Sequence, residues 1–364
     1  MSSEREAIKR RFLADHGLGS ARREPLPGDA STRLYERLHR PGGAPLIFMD
    51  QPPSLESQPC PPEASAQERR ALGYNAMARL AAGRVEAFVA CAGWLRSLGL
   101  SAPEVVGADP PRGLALLEDL GDDLYANLIA RGEDEARLYD AAVDGLARLH
   151  AEAPPKVLAA DGVCWPLLAF DDLALSVGAR LFLEWWPKYA RMAPFTEAAE
   201  AEWEAIWAPI RKRGAEGATV FCHRDYHAEN LIWLPERTGP ARVGMLDFQD
   251  ALRAHPAWDF SMLLHDARRD VSAEREAACL KRYLAARPEL DAEAFVADYH
   301  ALGALNSVRI LFIFARQVAG FERPKYRTLT PRVWGYLARC TAASGELGPL
   351  RAWLDAYVPP EKRI

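Results

Sequence analysis

The sequence predicts an α+β protein of two lobes, a small N-terminal antiparallel sheet followed by a larger helical region. Three observations lead there. Short apolar runs with strand character, bounded by Gly and Pro, fill the first 120 residues. After Gly121 the pattern changes to long stretches of helical periodicity. A chain of 364 residues is also long for one domain and natural for two lobes sharing a cleft.

The elements follow in order. Residues 4–16 suit a short amphipathic helix. A strand-like run holds Leu34, Tyr35 and Leu38, the turn sequence RPGG follows, and PLIFMD makes a second strand closed by Pro52 and Pro53. Residues 54–66, rich in Pro, Ser and Glu, read as an exposed insertion that extends to about 84. From Gln67 to Leu98 an Ala-rich helical pattern is interrupted by Gly83 and Gly93, which predicts two helices. APEVVGAD and RGLALLEDLGDDL add two more strands, for a sheet of about five with one packed helix. Residues 1–120 are thus expected to form one lobe and 121–364 the other, with the connection near 118–122. In the second lobe helices are expected at 123–131, 134–152, 171–192, 196–213, 257–268, 272–287, 291–319, 330–343 and 349–357, with short strands around residues 219–250.

Composition narrows the function. Forty-nine percent hydrophobic residues supports a large core, not disorder. Forty-five Lys plus Arg against 50 Asp plus Glu leaves a charge of −5, which argues against nucleic acid as the main partner. Cys60, Cys91, Cys164, Cys222, Cys279 and Cys340 form no C-x-x-C pair and suit free thiols in a reducing cytosol. The N-terminus is charged and lacks the apolar core of a signal peptide. The run Ile310–Ala315, flanked by Arg309 and Arg316, is too short to span a bilayer. The expectation is a cytoplasmic protein with no membrane association and no obligate protein partner.

The chemistry concentrates in CHRDYHAENLIWL, residues 222–234. Seventeen residues beyond Asn230, VGMLDFQD ends an apolar run at Asp247. The order His-Arg-Asp, four residues, Asn, strand, Asp-Phe is the layout of a protein-kinase catalytic loop and its metal-binding aspartate. Phosphoryl transfer spreads negative charge over oxygens, so the protein must position reactants and neutralise that charge. In this layout Asp225 accepts the substrate hydroxyl proton, while Asn230 and Asp247 offer oxygens to a Mg²⁺ that bridges ATP phosphates. A zinc reading of His223, His227 and Cys222 is weaker, because this loop follows a strand and no second Cys/His cluster accompanies it.

VFCHRDYHAENLIW and GMLDFQDALRAHPAWDFSMLL resemble the aminoglycoside phosphotransferase/choline kinase superfamily, which has a protein-kinase-like two-lobe fold. The resemblance implies Asp225 as base, Asn230 and Asp247 as magnesium ligands, and Asp259 as a structural support of the loop. PGDASTRLYERL, PLIFMDQPP, GLALLEDLGDDLY and RILFIFARQ…RPKYRTLTPRVWGYL look most like the anomeric kinases of cell-wall recycling, over about residues 24–340. Those enzymes use ATP to phosphorylate the C1 hydroxyl of N-acetylmuramate and N-acetylglucosamine. The resemblance implies ATP and Mg²⁺ as cofactors and an amino sugar as acceptor.

Other positions take expected roles from this frame. Gly28, Asp29, Ala30 and Ser31 in LPGDAS would cover the phosphates, or form an ordinary hairpin turn. The backbone of Glu118, Asp119 and Leu120 would pair with adenine, or simply turn the chain from strand to helix. The strand APLIFMDQ lacks the lysine that a protein kinase carries there, and Asp50 stands near its place. Arg33 or Arg37, on one side of the preceding strand, substitutes for it, or both are surface charges. Asn306, Arg309, Ile313, Arg316 and Gln317 share a helix stripe. Arg309 and Arg316 would bind an acceptor carboxylate, or pair with structural aspartates. His227 orients the base or touches the acceptor, and Trp185 and Trp186 stack on a sugar or fill the core. Two rival functions remain open at this level: a superfamily kinase for a cationic acceptor, with FDDLAL at 170–175 supplying carboxylates, and a nucleotide-binding pseudokinase.

Overall fold

A computed structural model of the chain describes residues 3–27, 33–52 and 58–364. The expected phosphate-covering residues Gly28, Asp29, Ala30 and Ser31 lie outside the described residues. The elements run α1 (Ser3–Asp15), β1 (Arg22–Pro25), β2 (Leu34–His39), β3 (Leu46–Asp50), α2 (Ala66–Leu72), α3 (Tyr74–Met77), α4 (Val85–Ser97), β4 (Val105–Asp109) and β5 (Leu114–Glu118). Then come α5 (Tyr125–Ala130), α6 (Glu135–His150), β6 (Val157–Ala160), β7 (Val163–Pro166), α7 (Asp172–Ala190) and α8 (Glu197–Glu216). The chain continues with β8 (Val220–Cys222), β9 (Leu231–Trp233), β10 (Val243–Met245), β11 (Leu252–Ala254) and α9 (Ala257–Leu264). It closes with α10 (Ala273–Ala286), α11 (Ala292–Ala319), α12 (Thr330–Ala343) and α13 (Gly348–Tyr357). Two compact units divide these elements. Unit 1 is Met1–Leu149, Pro155–Leu167 and Glu229–Ala251; unit 2 is His150–Pro154, Leu168–Ala228 and Leu252–Ile364. The division follows contacts and not the sequence boundary expected at residue 120.

Unit 1 is built on an antiparallel sheet in the order β1-β2-β3-β5-β4. Register pairs Leu38 with Leu46 and Phe48 with Leu116, so these side chains share one face with Leu114. That face meets Phe12 and Leu13 of α1 to form a core. Glu36 and Asp50 lie on the same face and meet charges from α1: Lys9 Nζ is 2.8 Å from Glu36 and 3.3 Å from Asp50, and Arg5 also binds Asp50. Lys9 is wholly buried, which is tolerable only because three carboxylates face it, Glu6 at 3.7 Å being the third. Asp50 therefore points toward α1, away from the face of Tyr35 and Met49.

Strand β1, RREP, has no apolar alternation to announce it; Arg23 holds it to Glu36. Three helices, not two, fill residues 66–97. Gly73 and Gly83, at φ 91° and 76°, separate them, as glycine's tolerance of positive φ allows. Gly93, by contrast, sits inside α4, where a Cβ would stand 2.2 Å from the Ala160 Cβ. It is a close-packing position against the unexpected hairpin β6–β7, not a break.

Unit 2 is mainly helical, with α11 packed against α7, α9 and α12. Trp186 is fully buried and stacks on Phe182, with Trp203 and Trp334 completing an aromatic core. It is therefore a core residue and no sugar platform, while Trp185 carries Lys188 over its ring at 4.3 Å. The FDDLAL carboxylates are likewise engaged: Asp171 caps α7 at the Ala174 N–H and Asp172 pairs with Arg211 at 2.9 Å. Helix α11, with 28 residues, is long and apolar enough to cross a bilayer, which the run Ile310–Ala315 alone is not, but 72% of its most apolar window is buried, as in a core helix.

Candidate active site

In unit 2 the loop after β8 is fixed from beneath. Strand β8 pairs with β11, and α9 then presents Asp259 to the loop. The Asp259 carboxylate accepts the backbone N–H of His223 at 2.7 Å, that of Arg224 at 2.8 Å, and the Cys222 thiol at 3.2 Å. His150 Nε2 lies 3.5 Å away, and its Nδ1 is 2.8 Å from the Tyr283 hydroxyl. Burial alone would raise the Asp259 carboxyl, but its bonds and charges with His150, His223 and Cys222 hold it below the ordinary range. Burial pushes the His150 imidazole down, against the upward pull of Asp259. Burial and the Asp259 charge push the Cys222 thiol well up. The Cys222 thiol donates to Asp259, and among the described residues no group of three or more His, Cys, Asp and Glu is gathered around it as zinc would need.

Arg224 adopts φ 79°, an uncommon backbone state, with its guanidinium 5.3 Å from the Phe170 ring centre. The next residue, Asp225, is half-buried and lines a cavity of about 170 Å³ with His227 and Arg309. The apolar part of its wall is Met262, Ile310, Ile313 and Phe314, and Asp266 and Arg268 also border it. Arg316 is not among the residues lining this cavity and lies over the Phe321 ring at 5.2 Å.

In unit 1 the hairpin β9–β10 pairs Leu231 with Met245, and the Leu246 N–H binds the Asn230 carbonyl at 2.9 Å. Asn230 and Asp247 thus flank the same end of the hairpin. Asp247 has φ 62°, a strained state that turns the chain directly after the strand. Its Oδ1 accepts from Gln249 Nε2 at 2.9 Å and from Arg33 Nη2, while Arg33 Nη1 donates to Gln249 Oε1 at 2.6 Å. Arg37 turns elsewhere, to Asp119 at 2.6 Å and Asp122 at 2.8 Å. Of the two arginines, Arg33 is the one beside the expected metal ligand. The Glu118 side chain is engaged by Arg237, and Asp119 also accepts the Gly121 N–H at 2.9 Å. Side-chain bonds therefore hold the segment of Glu118, Asp119 and Leu120 at the end of β5.

Asn230 and Asp247 are hard oxygen donors, and two of them suit a Mg²⁺ whose remaining ligands are phosphate and water. Among the described residues no group of three or more His, Cys, Asp and Glu is arranged to hold a metal by itself. Met262, His265, Asp266, Arg268 and Ile310 at the cavity, and Gln249 at Asp247, were not singled out by sequence. HDARRD directly follows the helix that ends WDFSMLL, and this proximity to Asp259 was the available signal.

A family model described as the phosphotransferase enzyme family matches residues 22–296. The chain belongs to that family. It is 68% identical to the N-acetylmuramate/N-acetylglucosamine kinase of Caulobacter vibrioides over 363 residues, 100% of this chain and 99% of that protein. It is 28% identical to the kinase of the same name from Pseudomonas aeruginosa, over 90% of this chain and 86% of that one. Among solved structures it is similar to the choline kinase LicA from Streptococcus pneumoniae, with a TM-score of 0.53, 16% identity and coverage of 93% and 100%. The fold of this phosphotransferase is thus the α+β one that the element pattern predicted and the kinase-like one that the resemblance implied, and its donor is ATP.

Proposed function

We propose that this phosphotransferase is an ATP-dependent kinase for the anomeric C1 hydroxyl of an N-acetylated amino sugar, N-acetylmuramate or N-acetylglucosamine, acting in the cytoplasm, where ATP is available. The observation that carries the reading is the 68% identity, over the full chain, to an enzyme named for those two sugars. The order Asp225, Asn230, Asp247, with Asp259 holding the backbone just before Asp225, supports it.

Asp225 is the base that accepts the sugar hydroxyl proton, and His227 and Arg309 contact the acceptor at the cavity they line with Asp225. Asn230 and Asp247 hold Mg²⁺, which when bound neutralises phosphate charge. Arg33, at Asp247, stands in for the missing strand lysine and contacts the ATP phosphates. Gly28, Asp29, Ala30 and Ser31 cover those phosphates, and the backbone of Glu118, Asp119 and Leu120 binds adenine. The test is ADP release with ATP and Mg²⁺ on N-acetylmuramate, N-acetylglucosamine, choline and an aminoglycoside, with Asp225→Asn as control. Turnover on either amino sugar that Asp225→Asn abolishes is expected. Turnover confined to choline or the aminoglycoside overturns the reading.

A further inference from the structure

Arg309 is a charged group in a place prepared for it. It projects from α11 and lines the cavity of Asp225. Opposite it α7 carries Gly178, where a Cβ would stand 2.6 Å from the Arg309 Cβ and 3.0 Å from its Cα. The absence of a side chain there is what lets the arginine stem pass. Its Nη1 donates to Asn306 Oδ1 at 3.1 Å. The Asn306 amide is in turn held the right way round, because its Nδ2 faces the Ser261 hydroxyl at 3.4 Å and the Met262 sulfur at 3.0 Å. The guanidinium lies 5.9 Å from the Trp258 ring centre. It is oriented by a neutral amide and an aromatic face.

None of these contacts neutralises it. Among the described residues Arg309 has no carboxylate within ion-pair distance, unlike Arg269, which lies 3.2 Å from Asp266 at the same cavity. The Asp266 carboxylate also accepts the Arg268 N–H at 2.8 Å. A half-buried guanidinium with five donors, one of them taken by Asn306, suits a bidentate bond to a carboxylate. The same charge repels a quaternary ammonium or a polyamine. The two proposed acceptors differ in this respect: N-acetylmuramate is N-acetylglucosamine with a lactyl ether that ends in a carboxylate.

We infer that Arg309 binds the acceptor carboxylate and sets the enzyme's preference for the carboxylate-bearing amino sugar over the one without it. This rests on the amino-sugar reading proposed above. The experiment measures kcat/KM and, by calorimetry without nucleotide, Kd for both sugars in the wild type, Arg309→Gln, Arg309→Lys and Asn306→Asp. In Arg309→Gln the loss for N-acetylmuramate is expected to exceed that for N-acetylglucosamine by about 10- to 100-fold, the range of a charged hydrogen bond. Lysine restores part of it. Asn306→Asp leaves the arginine in place but gives it a carboxylate, and lowers the same ratio even if Arg309→Gln folds poorly. Wild-type affinity for N-acetylmuramate falls with added salt more than affinity for N-acetylglucosamine. Turnover of both sugars with an unmoved ratio in every variant overturns the role of Arg309 and leaves the amino-sugar reading standing. A wild type that binds and turns over neither sugar defeats that reading first.

Discussion

Asp259→Asn isolates how the loop carrying Asp225 is held. The carboxylate takes two backbone N–H groups at 2.7 and 2.8 Å on different oxygens. An amide keeps one oxygen and turns an NH₂ toward the other donor. One buried N–H then loses its partner, at about 1–3 kcal/mol, and the remaining bond loses its charge assistance, at about 1 kcal/mol. Against this, a neutral amide no longer carries the desolvation cost of a buried charge, which offsets part of the sum. The net destabilisation expected is about 1–3 kcal/mol, a sizeable share of the ~5–15 kcal/mol typical of folded proteins. The urea midpoint falls with the slope unchanged. In the fraction that stays folded the loop is loosened next to Asp225, so kcat falls about 100-fold, the scale of a 1 Å misplacement, while KM for ATP moves little. Asp259→Asn with stability within ~0.5 kcal/mol of wild type and unchanged kcat would refute the claim that this carboxylate holds the loop.

Three further outcomes follow from the same coordinates. Arg33→Met raises KM for ATP about 10-fold or more, whereas Arg37→Met, which breaks bonds to Asp119 and Asp122, lowers the melting temperature with a smaller change in KM; steady-state kinetics with differential scanning fluorimetry separates them. Glu36, bonded first by Arg23 and then by Lys9, has its carboxyl lowered to about 2. Its folded pKa is below the unfolded value of about 4.3, so its contribution is full above that pH and is lost as pH falls toward 2; urea midpoints measured from pH 5 to pH 2.5 fall less steeply in Glu36→Gln. Gly93→Ala places a methyl 2.2 Å from the Ala160 Cβ and costs about 1–3 kcal/mol, part of which Ala160→Gly restores in the double variant; equal midpoints in wild type and Gly93→Ala would contradict the packing described.

What the sequence revealed depended on how local each feature is. The loop from His223 to Asn230 and the aspartate after β10 are contiguous stretches whose chemistry is written in residue types, so their layout was readable. Hairpin β6–β7 is equally local: Asp161 and Gly162, at φ 49° and 76°, form the two-residue Asp-Gly turn that flanking VLAA and VCWP announce. Strand β1 was not readable, since charge pairing with Glu36 and not alternation selects it. Gly93 misled because a glycine inside a helix can signal a break or a close neighbour, and only Ala160, far along the chain, decides which.

The cavity beside Asp225 shows the limit most clearly. Its residues come from three segments, near 225, 262–268 and 309–314, and no local pattern joins them. Helix periodicity put Arg309 and Arg316 on one stripe, and the angle was right, for seven residues return within about 20° of the start. Angle is only half of a helical position. Seven residues also advance about 10 Å along the axis, enough to carry Arg316 past the cavity to Phe321 while Arg309 faces Asn306. A stripe therefore predicts a shared face, and only the packing of α11 on α7 and α9, fixed by Gly178 and Asn306, selects which residue on that face lines the cavity.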